Sequence, residues 1–525
     1  MRELGQLGRF HRRCYVLVAI AGFSAAIYGI NYVFLAADVP YRCVMPECNG
    51  EVNTTWSQGR GSPLQRCYRR VDSPCGPPPL DFPADSEELR LCTRFEYASN
   101  ESIVAEFDLA CQDWKRTLVG TVHNVGMLVS VPLIGYVSDR WGRKRALVLS
   151  CTLVGAVGTL KAFSISYEMY IVIEFLETIA GASAFPAAYI ITIELLGQDK
   201  RVLTTAFLGI VLVLGGLCFA LLAKILRYWR TFIIVTYPPS LLFITYIYFL
   251  PESIRWLLSK GRKREALRIV TKAAETNGVT LTEELLRQLS NVDEDEKNVV
   301  HNESAQGRGV WKQVLRSPVI LWRLAVCSCW WITCTFVFYG LAINSVSLAG
   351  DKYTNYMLVV SVEVVAVVTN ALVLDRFGRK RTLCLAFLVC GVSLIAIAFI
   401  PKYPAWVTTA LYLVGKIAIT QAFNGIYMYT SELFPTHARH SLLGFCSMLG
   451  RLGSIVAPQM PLLALYVEWL PTVLFGTSAL LAGALMLTTP ETLHARLPDT
   501  IRDAEMLGRP LPAPSISDQH VTSRL

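Results

Sequence analysis

What this chain has least of is charge. Asp, Glu, Lys and Arg supply 17% of its residues and hydrophobic residues 53%, with a positive mean hydropathy; a soluble domain carries roughly 25% charged residues. That shortage excludes an ordinary water-soluble fold for a chain of 525 residues. Histidine is scarce too, at seven, and neither a His pair nor a Cys-x-x-Cys points to a metal. No nucleophile with its base and no phosphate-cradling glycine loop is present, so an enzyme and a bound cofactor are not expected. The short alternating segments of a membrane barrel are missing as well. Present instead are apolar runs of about 20 residues, each able to cross roughly 30 Å of hydrocarbon. In that medium the backbone must satisfy its own hydrogen bonds, so the runs are helices.

Twelve spans are predicted near 15–37, 117–138, 146–166, 168–193, 202–224, 231–250, 319–341, 353–374, 382–400, 405–430, 441–464 and 470–489. The first follows Arg9, His11, Arg12 and Arg13 and is too long for a signal peptide's apolar region, so it is read as a retained helix. An even number of spans puts both termini on one side. Basic clusters at Arg140 to Arg145, Lys200-Arg201, Lys260 to Arg264, Arg376 to Arg381 and Arg439 border that same side, which makes it cytoplasmic. The net charge of +9 is therefore topological, and a nucleic-acid partner is not expected. The predicted domains are an N-terminal bundle (1–250) with an inserted polar stretch (38–114), a cytoplasmic loop of short amphipathic helices and an acidic run (251–318), a C-terminal bundle (319–490) and a cytoplasmic tail (491–525).

Six of the fifteen cysteines fall in the inserted stretch: Cys43, Cys48, Cys67, Cys75, Cys92 and Cys111. With the sequons at Asn53 and Asn100, they read as a disulfide-bonded, glycosylated extracellular domain whose pairing the sequence leaves open. The sequon at Asn302 falls on the cytoplasmic side and should be unused.

The chain also repeats itself. Asp139-Arg140-Trp141-Gly142-Arg143-Lys144-Arg145 returns 236 residues later as Asp375-Arg376-Phe377-Gly378-Arg379-Lys380-Arg381. Glu194 with Arg201 returns as Glu432 with Arg439, offset 238, and Pro251-Glu252 as Pro490-Glu491, offset 239. Three motifs in one order at nearly one spacing mark a duplicated six-helix unit, and such repeats about a cleft are a transporter architecture. Asp139 with Arg143, Glu194 with Arg201, and their copies Asp375, Arg379, Glu432 and Arg439, together with Glu252 and Arg255, are the candidate charge network of a cytoplasmic gate.

Gly135-x-x-x-Asp139-Arg140-x-Gly142-Arg143-Lys144 resembles the signature of the major facilitator superfamily, with Ala371 replacing the glycine in the second copy. Pro251-Glu252-Ser253-x-Arg255-Trp256-Leu257 resembles a motif shared by sugar porters and organic-ion transporters. The Cys-rich insertion, Thr430-Ser431-Glu432-Leu433-Phe434-Pro435-Thr436-x-x-Arg439 and Leu497-Pro498-Asp499-Thr500 narrow the resemblance to the organic cation, carnitine and organic anion transporter family. It covers essentially the whole chain and implies alternating-access transport across the plasma membrane.

Charged residues inside spans need partners or a wet cavity; Glu174, Glu177, Glu363, Lys416 and Arg451 are the instances. In the resembled family the position of Arg451 is basic in the anion and carnitine branches, and that of Glu363 acidic in the cation and carnitine branches. The anion branch's lysine, expected near Val367, is absent. One fixed cation and one fixed anion suit a zwitterion: a carboxylate on Arg451, amid small neighbours that leave its guanidinium room, and an ammonium on Glu363. The rival reading pairs Arg451 and Glu363 with each other or with Lys416. Trp331 and Phe338, seven apart on one helical face beside Tyr339, resemble aromatic positions of the family's cation pocket. Tyr28 and Tyr32 share a face, and His123, Asn124 and Asn424 should face the bundle interior. Glu174 and Glu177 either carry protons or partner Lys161; the coupling ion, sodium or proton, stays open. The tail Ser523-Arg524-Leu525 fits a PDZ-binding pattern. An organic cation or anion carrier, a sugar porter, and a non-transporting receptor keeping the fold are the competing functions.

Overall fold

The computed structural model describes residues 8–44, 67–70, 89–182, 184–195, 201–279, 314–400, 404–493, 495 and 497–507. Twelve spans run through it. The first six are α1 (Arg9–Tyr28, extended past a turn by Tyr32–Leu35), α2 (Asp113–Trp141), α3 (Arg143–Lys161), α4 (Tyr167–Gly181, continued by Ala184–Leu195), α5 (Arg201–Leu226) and α6 (Trp229–Thr236, carried on by a 3-10 segment to Thr245 and by Tyr246–Phe249). The second six are α7 (Pro318–Asn344), α8 (Lys352–Phe377), α9 (Arg379–Phe399), α10 (Ala405–Leu433), α11 (Thr436–Val456) and α12 (Leu470–Met486). Serine caps open several of them: Ser166 accepts from the Met169 N–H and Ser317 from that of Ile320, satisfying donors that helix starts leave orphaned.

The duplication is visible in the packing. Within each half the first helix lies on the fifth, the second on the fourth, and the third on the fourth and sixth; α7 on α11, α8 on α10, and α9 on α10 and α12 repeat the N-terminal pattern. The halves meet through α2 with α11 and α5 with α8, again related by the repeat. This is a two-bundle helical membrane fold.

Two ends can be distinguished, one bearing the insertion and one the basic loops. At the insertion end a single apolar core spans both halves, joining Tyr28, Tyr32 and Phe34 to Ile343, Tyr353, Tyr356 and Ala457. Polar contacts reinforce it: Thr117 donates to Gln459 Oε1 at 3.0 Å, Gln459 donates to Thr121 at 2.6 Å, and Lys224 pairs with Asp351 at 2.9 Å. At the basic end one apolar cluster belongs wholly to the N-terminal half, while Ile320, Leu433 and Leu442 belong to a C-terminal one. Apolar side chains stand uncovered there, with Tyr136 59%, Leu372 64% and Phe377 63% exposed. The halves are thus sealed together at the insertion end, whereas at the basic end their described apolar clusters are separate.

In the insertion, β1 (Tyr41–Cys43) pairs antiparallel with β4 (Phe95–Tyr97), and β2 (Tyr68–Arg70) with β3 (Leu89–Leu91). Of the six cysteines, Cys43 bonds Cys92 and Cys67 bonds Cys111; Cys48 and Cys75 lie outside the described residues, as does Asn53. Asn100 is exposed. Glu106 docks the insertion on the N-terminal half, accepting from Tyr228 at 3.0 Å, from Trp229, and from Arg230 at 2.7 Å. After α6, helix Ile254–Ser259 packs on helix Lys263–Asn277, which packs against the start of α1, where the Phe10 N–H donates to Asn277 at 3.0 Å. The acidic run beyond them and the tail from residue 508 lie outside the described residues.

Candidate functional site

Both repeat loops are built alike. Gly142 turns α2 into α3 at φ +107°, and Gly378 turns α8 into α9 at φ +95°, a region where side chains other than glycine's are strained. A Cβ on Gly142 would also stand 2.2 Å from Glu252 Oε2, and one on Gly378 2.6 Å from Glu491 Oε2. Those carboxylates fill the space because each caps the next helix. Glu252 accepts from the Lys144 N–H at 3.0 Å, and Glu491 from the N–H groups of Arg379 and Lys380 at 2.9 and 3.4 Å. A negative charge there complements the positive end of the helix dipole. The Nζ of Lys144 and Lys380 then donate to the Ile247 and Leu487 carbonyls at 3.1 and 2.9 Å, tying each loop to the sixth helix of its half.

The arginine after each glycine is a hub. Arg143 pairs with Asp139 and, at 3.4 Å, with Glu194; Arg379 pairs with Asp375 at 2.9 Å and with Glu432 at 3.5 Å. The partner of Glu432 is thus Arg379, rather than the Arg439 that follows it in sequence. Arg439 lies beyond the break at Phe434-Pro435 and donates to the Phe434 carbonyl at 3.4 Å, while Glu432 accepts from Thr492 at 2.5 Å. Glu194 likewise faces Arg143; the side chain of Arg201 lies outside the described residues. Arg255 is exposed to solvent.

Burial alone would raise the Glu491 carboxyl, but the N–H groups of Leu493, Thr492, Arg379 and Lys380 outweigh it and hold it below the usual glutamate range. A depressed carboxylate contributes stability that is present above its unfolded value and lost as pH falls through the folded one. Glu491→Gln is therefore expected to lower the unfolding temperature at neutral pH. The difference from wild type should shrink once acid protonates Glu491, as thermal unfolding at two pH values would show.

Deeper in the cleft, Glu363 on α8 meets Lys416 on α10. Lys416 Nζ lies 2.9 Å from Glu363 Oε1, 3.2 Å from the Phe338 carbonyl and 3.4 Å above the Phe338 ring, with its side chain wholly buried. Of the pairings foreseen among Arg451, Glu363 and Lys416, Glu363 with Lys416 is the one the fold builds. Arg451 on α11 has no described carboxylate within ion-pairing distance. Its Nη1 reaches across to the other half, 3.8 Å from Met127 Sδ. The small residues beside Arg451 do not make room for its guanidinium. Gly450 faces the Trp331 backbone and Gly453 the Ile332 carbonyl, letting α11 cross α7 closely.

The aromatic residues divide. Phe338 stacks on Phe423 at 5.2 Å and lies edge-on to Tyr339 at 5.3 Å. Trp331 is fully buried, its Nε1 donating to Thr430 at 3.2 Å and its ring 4.4 Å from Tyr427. Tyr427 and Phe423 are additions the sequence reading missed, although their i, i+4 spacing on α10 was available as a signal. Asn424, next to Phe423 in sequence, is half-buried. Tyr28 is engaged inside the N-terminal half, where its hydroxyl contacts the Thr236 carbonyl at 3.1 Å and Ser240. Tyr32 belongs to the sealed end; Asn124 donates to its hydroxyl at 3.3 Å and to the Gly120 carbonyl at 2.8 Å.

A second buried charge cluster lies in the N-terminal half. Lys161 pairs with Glu174 at 2.7 Å and with Glu177, and His123 lies 2.7 Å from Glu174.

Comparison with known proteins agrees with this fold. Residues 113–458 match the Major Facilitator Superfamily model. The chain is 31% identical to an organic cation transporter protein of Drosophila melanogaster over 98% of its own length and 95% of the relative's. It is 32% identical to organic cation/carnitine transporter 2 of Rattus norvegicus, covering 95% and 92%, and 28% identical to solute carrier family 22 member 3 of Mus musculus, covering 97% and 95%. Among solved structures, the partially occluded inward-open conformation of the xylose transporter XylE from E. coli aligns with TM-score 0.59 at 15% identity, over 92% of this chain and 98% of that one, a likeness of fold alone. With twelve spans in two matching halves and near full-length relatives, the chain belongs to the major facilitator superfamily and, within it, to the organic cation and carnitine transporters: it is a multi-pass membrane transporter, not an enzyme.

Proposed function

We propose that this transporter carries small organic ions bearing both a carboxylate and an ammonium group, bound between the halves and released as they rock about it. Arg451 carries the reading: a guanidinium at the cleft, free of any described carboxylate, with the planar fork that suits one. The ammonium would lie against Phe338 and Tyr339 and compete with Lys416 for Glu363. The basic end faces the cytoplasm of a plasma-membrane protein, and the hubs at Arg143 and Arg379 hold each half rigid while the gate opens. The first relatives' names, organic cation and carnitine transporters, fit this substrate class.

One observation favours a second reading. Lys416 neutralises Glu363, so the cleft as built has an excess positive charge from Arg451, which suits an organic anion.

Uptake by cells of carnitine, a monocarboxylate and tetraethylammonium separates the readings. Carnitine uptake is expected, with roughly tenfold or greater loss in Arg451→Ala, the scale of one charge-assisted contact. Glu363→Gln should abolish carnitine uptake if the zwitterion reading holds and spare the monocarboxylate if the anion reading does. Wild-type uptake of tetraethylammonium alone, unchanged by Arg451→Ala, would sink both.

A further inference from the structure

The buried cluster of the N-terminal half has more acceptors than a neutral histidine can satisfy. His123 Nδ1 lies 2.7 Å from Glu174 Oε1, and His123 Nε2 lies 3.1 Å from the Gly29 carbonyl. A neutral imidazole has one N–H, whereas a carboxylate and a carbonyl both only accept. Both contacts are hydrogen bonds only if the His123–Glu174 pair carries one proton beyond its neutral-imidazole, carboxylate form, either as imidazolium or on Glu174. Thr178 does not supply the missing donor, because its hydroxyl donates to the Glu174 carbonyl at 2.8 Å.

Counting charge leads to the same proton. Lys161 is the single ammonium facing Glu174 and Glu177, and all three side chains are at most 1% exposed. With a neutral His123 the cluster would be a buried net anion, which a low-dielectric interior disfavours; one more proton makes it neutral. The surroundings supply no other charge among the described residues. From α1 come Tyr28 and Asn31, from α3 Lys161, from α4 Tyr170 and Thr178, and from α6 Tyr237, whose hydroxyl donates to Glu177 at 2.9 Å while Tyr28 contacts Ser240.

The cluster also touches the part that seals the cleft. The Gly29 carbonyl is free because α1 turns there, the Val33 N–H donating to Ile30 instead. Just past that turn, the Tyr32 ring lies 5.0 Å from His123. It packs over Gly120 beside Pro458 of the other half, where an added Cβ would meet Tyr32 at 2.7 Å and Pro458 at 2.8 Å.

We propose that His123, Glu174, Lys161 and Glu177 form a proton-binding site whose occupancy holds the insertion end shut, so that the transport cycle is linked to protons. The inference rests on the fold and this cluster, not on the choice of substrate. Losing the proton removes a donor either from the Gly29 carbonyl, at the turn that positions Tyr32, or from Glu174, and leaves a net buried charge.

The test needs no substrate. Spin labels placed through unnatural amino acids at Ile165 and Tyr466, both highly exposed on the insertion end of opposite halves, report its opening in lipid nanodiscs. As the pH rises from about 6 to about 9, the wild-type distance distribution should shift toward longer separations. The double variant His123→Gln/Glu174→Gln leaves Lys161 and Glu177 as a neutral pair with no labile proton, and should show no shift. Glu174→Gln alone, nearly isosteric and neutral with an uncharged His123, should behave likewise and stands in if the double variant fails to fold. A wild-type distribution that ignores pH, or variants that shift as the wild type does, would overturn the proposal.

Discussion

Lys161→Ala is expected to yield almost no folded protein. Its Nζ serves Glu174, Glu177 and the Tyr237 hydroxyl at once, inside a bundle where the side chain has no exposure. Breaking a buried ion pair by removing one partner costs about 3–5 kcal/mol, because the remaining charge is left uncompensated. Here two carboxylates lose the same ammonium, against a total stability of about 5–15 kcal/mol. Size-exclusion profiles of a fluorescent fusion would show the loss as a collapse of the monodisperse peak. Lys161→Ala/Glu174→Gln/Glu177→Gln, which removes the stranded charges, should recover part of it. A single variant as monodisperse and heat-stable as wild type would mean that the cluster contributes nothing to the fold.

Gly453→Val is expected to be the most damaging change near the cleft. A Cβ there would lie 2.2 Å from the Ile332 carbonyl oxygen, 2.6 Å from Thr335 Oγ1 and 2.8 Å from the Phe336 nitrogen, two of them backbone atoms of α7 that cannot swing aside. The Thr335 hydroxyl already bonds the Gly450 carbonyl across the same contact. Overpacking of this kind costs about 1–3 kcal/mol, and the relief is to push α11 away from α7, taking Arg451 with it. The expected result is a lowered unfolding temperature together with roughly tenfold or greater loss of uptake, the scale of one displaced ionic contact. Leu452→Val, on a neighbouring residue that is 44% exposed, is the control and should leave both unchanged. Equal behaviour of the two variants would show that the close crossing does not position Arg451.

Much of the fold was legible because it is written in long-range, redundant signals. Twelve apolar runs, three motifs at a shared offset and a polar insertion each point to the same architecture, and the inner pairings that they frame recur in both halves. The loops were legible to the residue: Gly142 and Gly378 stand where only glycine fits, with Glu252 and Glu491 against them. Pairings between helices were not. Glu432 lies seven residues before Arg439 but forms its ion pair with Arg379, and nothing in one chain's spacing says which face of α9 meets the end of α10. The same blindness hid the environment of Arg451, whose glycine neighbours serve a helix crossing, and the second partner of Glu174, His123 on α2, whereas Lys161 was a foreseen one. Composition reveals that a buried charge needs a partner; only the packed helices choose it.

The insertion is fastened to one side of the molecule. The hydrogen bonds of its described residues reach the N-terminal half, through Glu106 to Tyr228, Trp229 and Arg230 and through Ser102 to the Ala37 carbonyl. Anchored by those bonds, it is expected to travel with the N-terminal half as a passenger. An antibody gripping the insertion alone would ride along without arresting the cycle, whereas one bridging it to the loop between α11 and α12 would act as a brake. The passenger is thus a handle by which the carrier can be followed or stopped from outside the bilayer.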